Sequence, residues 1–419
     1  MGYQLTRLFF ALAVLCNSAH VYAEGAPDWR AESLSGDWGG TRFNLYTRGI
    51  ELDLTHKSDL LANRSGGFKK GTVWLANTEA AININLEKLA GWGATAAFIQ
   101  YHAQHGSQSK DFNKKYVGSF AGVDNIETGT TTGQLFQAWV EKGFLEDTFT
   151  EDSLSLLAGL YAVDSEFYVT ESSGLFLQPP YGMSAEMAQT GQNGPPIFPM
   201  GSLGVRFKYT SPAFYLQYAL TDGVPGNINK PYGTHIRLEK KDGTLSVFEI
   251  GFTPPSESEG NSINRTAFGL WNYTAPAPDL TGSLARRDDQ GYYILSERTL
   301  RKENSDSEQG MSGFVRFGSV NRDAYQADYS ASTGLHYLGL FRGRDEDEAG
   351  IAVTTSHASD KYRKLNASDL HETVVELTYR AQILPWLAIQ PSLQRIINPN
   401  MDKAVDDASV AAVRLEVTL

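Results

Sequence analysis

The chain has a single cysteine in 419 residues, and that residue, Cys16, lies in the apolar N-terminal stretch. No intrachain disulfide can form, so in an oxidising compartment the fold must be held by hydrogen bonding and packing. Long apolar runs are also missing. Past the N-terminus nothing approaches the roughly 20 apolar residues of a membrane-spanning helix, and mean hydropathy is below zero, which excludes a helical membrane bundle. Positive charge is in deficit: 36 Lys and Arg against 48 Asp and Glu give a net charge of −12, which argues against nucleic acid as a partner. Glycine (40 residues), aromatics (11%) and apolar residues (41%) are plentiful, enough for a large ordered fold. These exclusions leave membrane barrels open. A β-strand crosses a bilayer in about 9 to 11 residues with only alternate side chains facing lipid, so a barrel can keep a low average hydropathy.

At the N-terminus Arg7 precedes the apolar run Leu8 to Leu15, and Val21-Tyr22-Ala23 offers small residues where a signal peptidase reads. Residues 1–23 are therefore expected to be a secretory signal cleaved after Ala23. Leu15 before Cys16 is too large for a lipoprotein signal. Behind it, Ser35-Gly36-Asp37-Trp38-Gly39-Gly40-Thr41-Arg42 leads into Phe43, Leu45 and Tyr46. Asp37 or Thr41 is expected to cap a short helix and Gly49 to end it. This is expected to be the only convincing helix of the mature chain.

From Ile50 the pattern has period two. Ile50, Leu52 and Leu54 alternate with Glu51, Asp53 and Thr55; Ile82 and Ile84 alternate with Asn83 and Asn85 before the Gly91-Trp92-Gly93 turn. Val205, Phe207 and Tyr209 flank Arg206 and Lys208, and Phe214, Leu216, Tyr218 and Leu220 flank Gln217. Each segment reads as a strand with one apolar face. Similar segments recur to the last residue, about sixteen in all, joined alternately by short turns and long polar loops, the signature of a transmembrane antiparallel β-barrel. Aromatics near strand ends (Trp92, Tyr209, Trp271, Tyr273, Tyr379, Trp386) fit an interface girdle. The terminal strand, with Ala411, Val413, Leu415, Val417 and Leu419 on one face, would be an aggregation edge on a soluble protein and is a closing strand in a barrel.

These residues carry a resemblance. The opening Gly36 to Arg42 with Gly49, Gly159 to Phe167, Phe176 with a loop to Pro199, Leu203-Gly204-Val205-Arg206, Gly313-Phe314-Val315-Arg316, and the closing Pro385-Trp386-Leu387, Pro391, Asn398-Pro399 and Arg414 resemble the carbohydrate-selective porins of Gram-negative outer membranes, the porin B type. The resemblance implies a 16-stranded barrel whose short N-terminal helical segment and inward loops narrow the lumen. It implies passive diffusion of sugars such as glucose without a cofactor, and residence in the outer membrane. Three parts are expected: the signal 1–23, a periplasmic segment 24–49, and the barrel 50–419. Small neutral sugars, outer-membrane lipid and lipopolysaccharide, and the barrel assembly machinery are the implied partners, with a monomer or loose homo-oligomer as the assembly. Members of the family usually end in an aromatic residue that the assembly machinery reads, whereas this chain ends in Leu419.

A sugar is neutral and rich in hydroxyls, so a selective passage needs charged donors and acceptors together with aromatic faces. Strand parity names the inward residues. Val205, Phe207 and Tyr209 facing lipid turn Arg206 and Lys208 inward; Val315 and Phe317 do the same for Arg316. Val375, Leu377 and Tyr379 turn Glu376, Thr378 and Arg380 inward, and the last strand turns Arg414 and Glu416 inward. The expected constriction is Arg206, Arg316, Arg380 and Arg414 balanced by Glu376 and Glu416, with ordinary solvated lumen charges as the alternative for each. Trp139 and Glu141 share a parity and could stack on and bond a pyranose, with a girdle position as the alternative for Trp139. The proline-stiffened segment Gln178 to Pro199 is too long for a plain turn and is expected to fold over or into the lumen.

Signals of catalysis or metal binding are poor. His371-Glu372 begins like a zinc-protease helix, but Val375 stands where the second His belongs. Ser107 to Lys110 has the spacing of a penicillin-binding nucleophile without its companion motifs. His102 and His105, three apart on a strand, fall on opposite faces. No enzymatic activity, metal or cofactor is expected. The alternatives are a general small-solute porin, a barrel enzyme or adhesin, and a soluble periplasmic sugar-binding β-protein.

Overall fold

The structure, a computed structural model, describes residues 26–147, 151–254, 262–303 and 308–419; the expected signal segment lies outside them. The period-two segments become sixteen strands: β1 (Ile50–Ser65), β2 (Gly71–Asn85), β3 (Thr95–Gly106), β4 (Gly133–Asp147), β5 (Asp152–Tyr161), β6 (Ser202–Thr210), β7 (Phe214–Asp222), β8 (Thr244–Phe252), β9 (Asn264–Pro278), β10 (Arg286–Lys302), β11 (Gly310–Val320), β12 (Ala327–Leu338), β13 (Glu348–Ala358), β14 (His371–Leu384), β15 (Leu387–Ile397) and β16 (Ala408–Thr418). Each strand pairs with its neighbours in sequence, and β16 returns to β1 with Thr55 opposite Thr418 and Ala62 opposite Ala411, closing the barrel. Closure leaves no strand edge with unpaired amides, the condition for crossing lipid with strands.

The outer face carries exposed Leu60, Val205, Phe207, Val315, Leu377 and Val413, apolar side chains that water would not stabilise and a bilayer does. Trp92 is likewise exposed. Trp271 and Tyr273 depart from the girdle expectation. Phe268 and Leu270 hold the outward face of β9, so both aromatics turn inward and are buried, edge to face with each other at 6.0 Å.

The joins at one end are short, as at 211–213 and 385–386, whereas residues 107–132 and 162–201 at the other end are long. Both long connections fold into the barrel. Phe112, Val123, Ile126 and Leu177 pack on inward Leu61, Leu75, Val374, Ile396 and Val410. On the other wall Phe167, Tyr168 and Met187 pack on Phe98, Trp139, Leu157, Val247 and Tyr293. Much of the inward face is thus a dry interface with the loops rather than a wetted wall.

Among the described residues five short α-helices accompany the barrel: α1 (Trp29–Glu32), α2 (Thr41–Thr47), α3 (Leu86–Ala90), α4 (Ala185–Ala188) and α5 (Asp360–Asn366). The expected helix is α2, but neither Asp37 nor Thr41 caps it. It starts behind Gly40 in the left-handed region (φ 89°) with no side-chain cap, and Gly49 (φ 90°) follows its end. It is not alone: α3 is capped by Asn85, whose side chain accepts from the Lys88 amide at 2.9 Å, and α5 by Ser359. The N-terminal segment clasps the barrel seam, with the Leu34 amide on the Thr418 carbonyl at 2.9 Å and Arg42 Nη2 on the terminal Leu419 oxygen at 2.8 Å.

Candidate permeation pathway

A backbone folded inside a barrel must find partners for its amides and carbonyls away from bulk water. Here the wall supplies them as isolated charges among apolar neighbours. On β11, inward Arg316 is flanked by inward Phe314 and Gly318, and it donates to the carbonyls of Tyr168 (2.8 Å), Pro180 (3.0 Å), Tyr181 (2.8 Å) and Gly182 (2.7 Å). Its guanidinium also lies 4.6 Å from the Tyr168 ring, which stacks on Tyr293 at 4.0 Å. Gly318 leaves room for this approach, since a Cβ there would run into Glu186 and Tyr168.

The carboxylates do the reciprocal work. Glu376 accepts from the Leu177 amide (2.9 Å), the Gln178 amide (3.1 Å) and the Ser392 hydroxyl (2.9 Å). Four residues closer to the long loops on β14, Glu372 accepts from Ser119 Oγ (2.8 Å) and the amides of Phe120 (2.7 Å) and Ala121 (2.8 Å). Glu249 accepts from the Tyr168 amide (3.0 Å) and the hydroxyls of Tyr215 (2.6 Å) and Tyr293 (2.7 Å). Arg414 is clamped on Asp59 (2.8 and 2.6 Å) and on Asn125 Oδ1 of the first loop (2.7 Å).

Arg206, Lys208 and Glu141 form one cluster around a loop carboxylate. Arg206 reaches Glu166 (2.8 Å), Glu141 (2.9 Å) and Ser155 (2.8 Å), and Lys208 reaches Glu166 at 3.3 Å. Burial pushes the Glu166 carboxyl up, but Arg206 and Lys208 outweigh it and hold it below its ordinary value. Trp139 turns inward rather than to the girdle and lies 5.2 Å from Phe98, with its indole N–H lacking an acceptor among the described residues.

Arg380 and Glu416 are placed differently. Arg380 stands four residues beyond Glu376 on β14, about 13 Å toward the short-turn end at roughly 3.3 Å per residue. It pairs with Glu416 (3.0 Å) and Glu348 (3.3 Å), and Glu348 lies 2.9 Å from the His336 ring. Across the seam Lys57 faces Glu416 in the sheet register and pairs with Glu79 at 3.6 Å. The side chains of Arg380 and Glu416 are each 17% accessible and Glu79 is 22%, against 2% for Arg206. The result is a half-open belt of alternating sign below the packed loops: Glu79, Lys57, Glu416, Arg380, Glu348.

All nine residues singled out from the sequence thus face inward, but they divide. Arg206, Arg316, Arg414, Glu376 and Glu141 are buried against the loops or their partners, whereas Arg380 and Glu416 stay partly open. Sequence reasoning passed over Glu166, Glu249, Glu372, Asp59 and Lys57. Glu249 carries the signal used for Glu376, a lone inward charge between apolar Phe248 and Ile250, whereas Lys57 and Asp59 share the polar stretch His56 to Asp59 and Glu372 lies between His371 and Thr373. Glu166 sits in a loop without periodicity. His102 is buried and His105 exposed, so they do occupy opposite faces.

Residues 71–419 match the model of the carbohydrate-selective porin, OprB family. The chain is 23% identical over 446 aligned residues to Porin B of Pseudomonas aeruginosa, covering 97% of this chain and 96% of that protein. It is 24% identical over 425 residues to the putative porin QuiX of Acinetobacter baylyi, covering 92% of each. The high-pH structure of Pseudomonas putida OprB superposes with a TM-score of 0.80 at 21% identity, over 94% of this chain and all of that one. With the closed barrel, these matches place the protein in the bacterial outer membrane and set aside the soluble periplasmic alternative: the chain belongs to the carbohydrate-selective porin family.

Proposed function

We propose that the protein passes small neutral sugars, glucose and similar monosaccharides, by diffusion through a constriction formed by the two inward loops and the half-open belt beneath them. The observation that carries this reading is the belt. Arg380, Glu416, Glu348, Lys57 and Glu79 alternate in sign and remain accessible, so donors and acceptors for hydroxyls lie side by side without a strong field of one sign. In this reading Arg206, Lys208, Arg316, Arg414, Glu376 and Glu141 set the width of the passage by holding the loops, and Trp139 packs in the wall behind the loop and does not meet the solute. Transport is diffusion with no catalytic step.

The accompanying assignments are of the same kind: cleavage of the signal after Ala23, a periplasmic 24–49 segment, assembly by the outer-membrane insertion machinery, contact with lipopolysaccharide, and a monomer or loose homo-oligomer. Liposome swelling tests the sugar reading. Glucose should enter severalfold faster than a singly charged acid of similar size, and disaccharides should lag. Equal rates for all three solutes would favour a general small-solute pore.

A further inference from the structure

One group of side chains is absorbed neither by the passage nor by the loop anchors. In a chain of net charge −12, Arg64, Lys69, Lys70, Lys110, Lys114 and Lys115 are all exposed on one side of the long-loop rim. The backbone brings them together. The amides of Phe68 and Lys69 both donate to the Tyr116 carbonyl, at 2.9 and 3.1 Å. Lys69 Nζ lies 4.3 Å from the Tyr116 ring, and Lys115 Nζ donates to the Ser109 carbonyl at 3.1 Å.

Nearby carboxylates contact backbone amides or other side chains and not the six charged groups themselves. Asp111 accepts from the Lys114 amide (3.3 Å), Glu127 from the Asn113 amide (3.0 Å), and Asp407 pairs with Arg395 (3.0 Å). Among the described residues none of the six cations forms an ion pair. Six cations gathered on one rim without a direct carboxylate partner repel one another, and the cluster is stabilised when an anion joins it.

The lipid-facing wall beneath is apolar. Leu60, Ala62 and Arg64 share the outward face of β1, Trp74 lies opposite Leu60 on β2, and Tyr101 is exposed on β3. Arg64 is four residues above Leu60, about 13 Å along the strand. Anionic head above and hydrocarbon below is the shape of an amphiphile carrying several phosphates.

We propose that this rim binds the phosphorylated glycolipid of the outer leaflet. Its lipid A phosphates sit among Lys69, Lys70, Lys114, Lys115 and Arg64, and its acyl chains lie on Leu60 and Trp74. The proposal rests on the lipopolysaccharide contact named above and on the long loops facing outward, the usual orientation of such barrels. It does not depend on which solute passes.

The test is titration of the detergent-solubilised barrel with labelled deep-rough lipopolysaccharide. The variant K69Q/K70Q/K114Q/K115Q should bind at least about tenfold more weakly; removing the phosphates from the lipid should weaken binding to the wild type similarly. K240Q/K241Q, which neutralises exposed lysines of the 223–243 loop, should bind as wild type. Binding by the quadruple variant within twofold of wild type, equal binding of dephosphorylated lipid, or an equal loss in K240Q/K241Q would each overturn the proposal. Heat-modifiable migration reports folding, and the pairs K69Q/K70Q and K114Q/K115Q take over if the quadruple variant does not fold. Glucose flux through the same variants should be unaltered, so failure of the sugar reading would be seen separately.

Discussion

Replacing Arg316 with alanine removes the donor for four carbonyls at once. Gly182 is exposed and its carbonyl can be rehydrated, whereas Tyr168, Pro180 and Tyr181 are buried. The Tyr181 carbonyl keeps the Ser173 hydroxyl at 2.7 Å, so two buried carbonyls are orphaned, and at about 1–3 kcal/mol each they cost about 2–6 kcal/mol before relaxation. The lost stacking of the guanidinium on Tyr168 adds about 0.5–2 kcal/mol. Such a cost is larger than a loop segment can absorb in place, because moving outward restores its hydration. The strand ladder is untouched, so the barrel should persist while residues 168–182 leave the lumen. Single-channel conductance in planar bilayers should rise severalfold with more open-channel noise, and proteases should cut the 162–201 loop in folded, heat-modifiable protein. Arg316→Lys, which keeps the charge but not the fork of donors, should fall between. Conductance, noise and proteolysis all matching wild type would refute the anchoring argument.

Three further outcomes follow from the same geometry. Burial pushes Glu127 from 4.5 up to about 7 and Asp164 from 3.8 up to about 6. A folded state that holds protons more tightly than the unfolded one is favoured at acid pH. The loop packing that depends on them should therefore be firmest below about pH 4 and weaken as pH rises through 6 to 7, which hydrogen exchange of residues 107–132 and 162–201 between pH 4 and 8 measures; equal protection would contradict it. In the belt, Arg380→Ala should shift the reversal potential in a salt gradient toward cation preference and Glu416→Ala toward anion preference. Arg42→Ala removes the contact with the terminal Leu419 oxygen, worth about 1.5–3 kcal/mol as a charge-assisted hydrogen bond; it should lower the unfolding temperature in detergent and slow assembly into liposomes.

Barrel and strand parity were legible because a strand repeats every two residues. Val205, Phe207 and Tyr209 place Arg206 inward whatever else the chain does. The partners were not legible. Arg316 meets Tyr168 and Glu376 meets Leu177, contacts between residues 148 and 199 apart, and the 162–201 loop has no period from which to read them. Trp271 and Tyr273 show a different failure: proximity to a strand end suggested the girdle, although parity counted from Phe268 already turned them inward. The helices α3 and α5 are too short for an amphipathic repeat and rest on single caps, Asn85 and Ser359.

The ion pairs among the wall and loop charges bear on selectivity, because each also cancels charge. Arg206 and Lys208 are balanced by Glu141 and Glu166. Arg414 is balanced by Asp59, while burial first, and then the Asp59 carboxylate, push Asp124 up toward its neutral form. In the belt, Arg380 and Lys57 face Glu348, Glu416 and Glu79. Where the ionic groups are paired in this way, the wall presents strong local dipoles and a much reduced net field. An ion gains little from such a wall, since attraction at one group is offset within a few ångströms by its neighbour. A polyhydroxylated neutral solute can donate to one group and accept from the next. On the proposed reading, the ion pairs that hold the loops in place also make the passage favour sugars over salts, so neutralising one member of a pair should cost neutral-solute preference even where the width of the passage is kept.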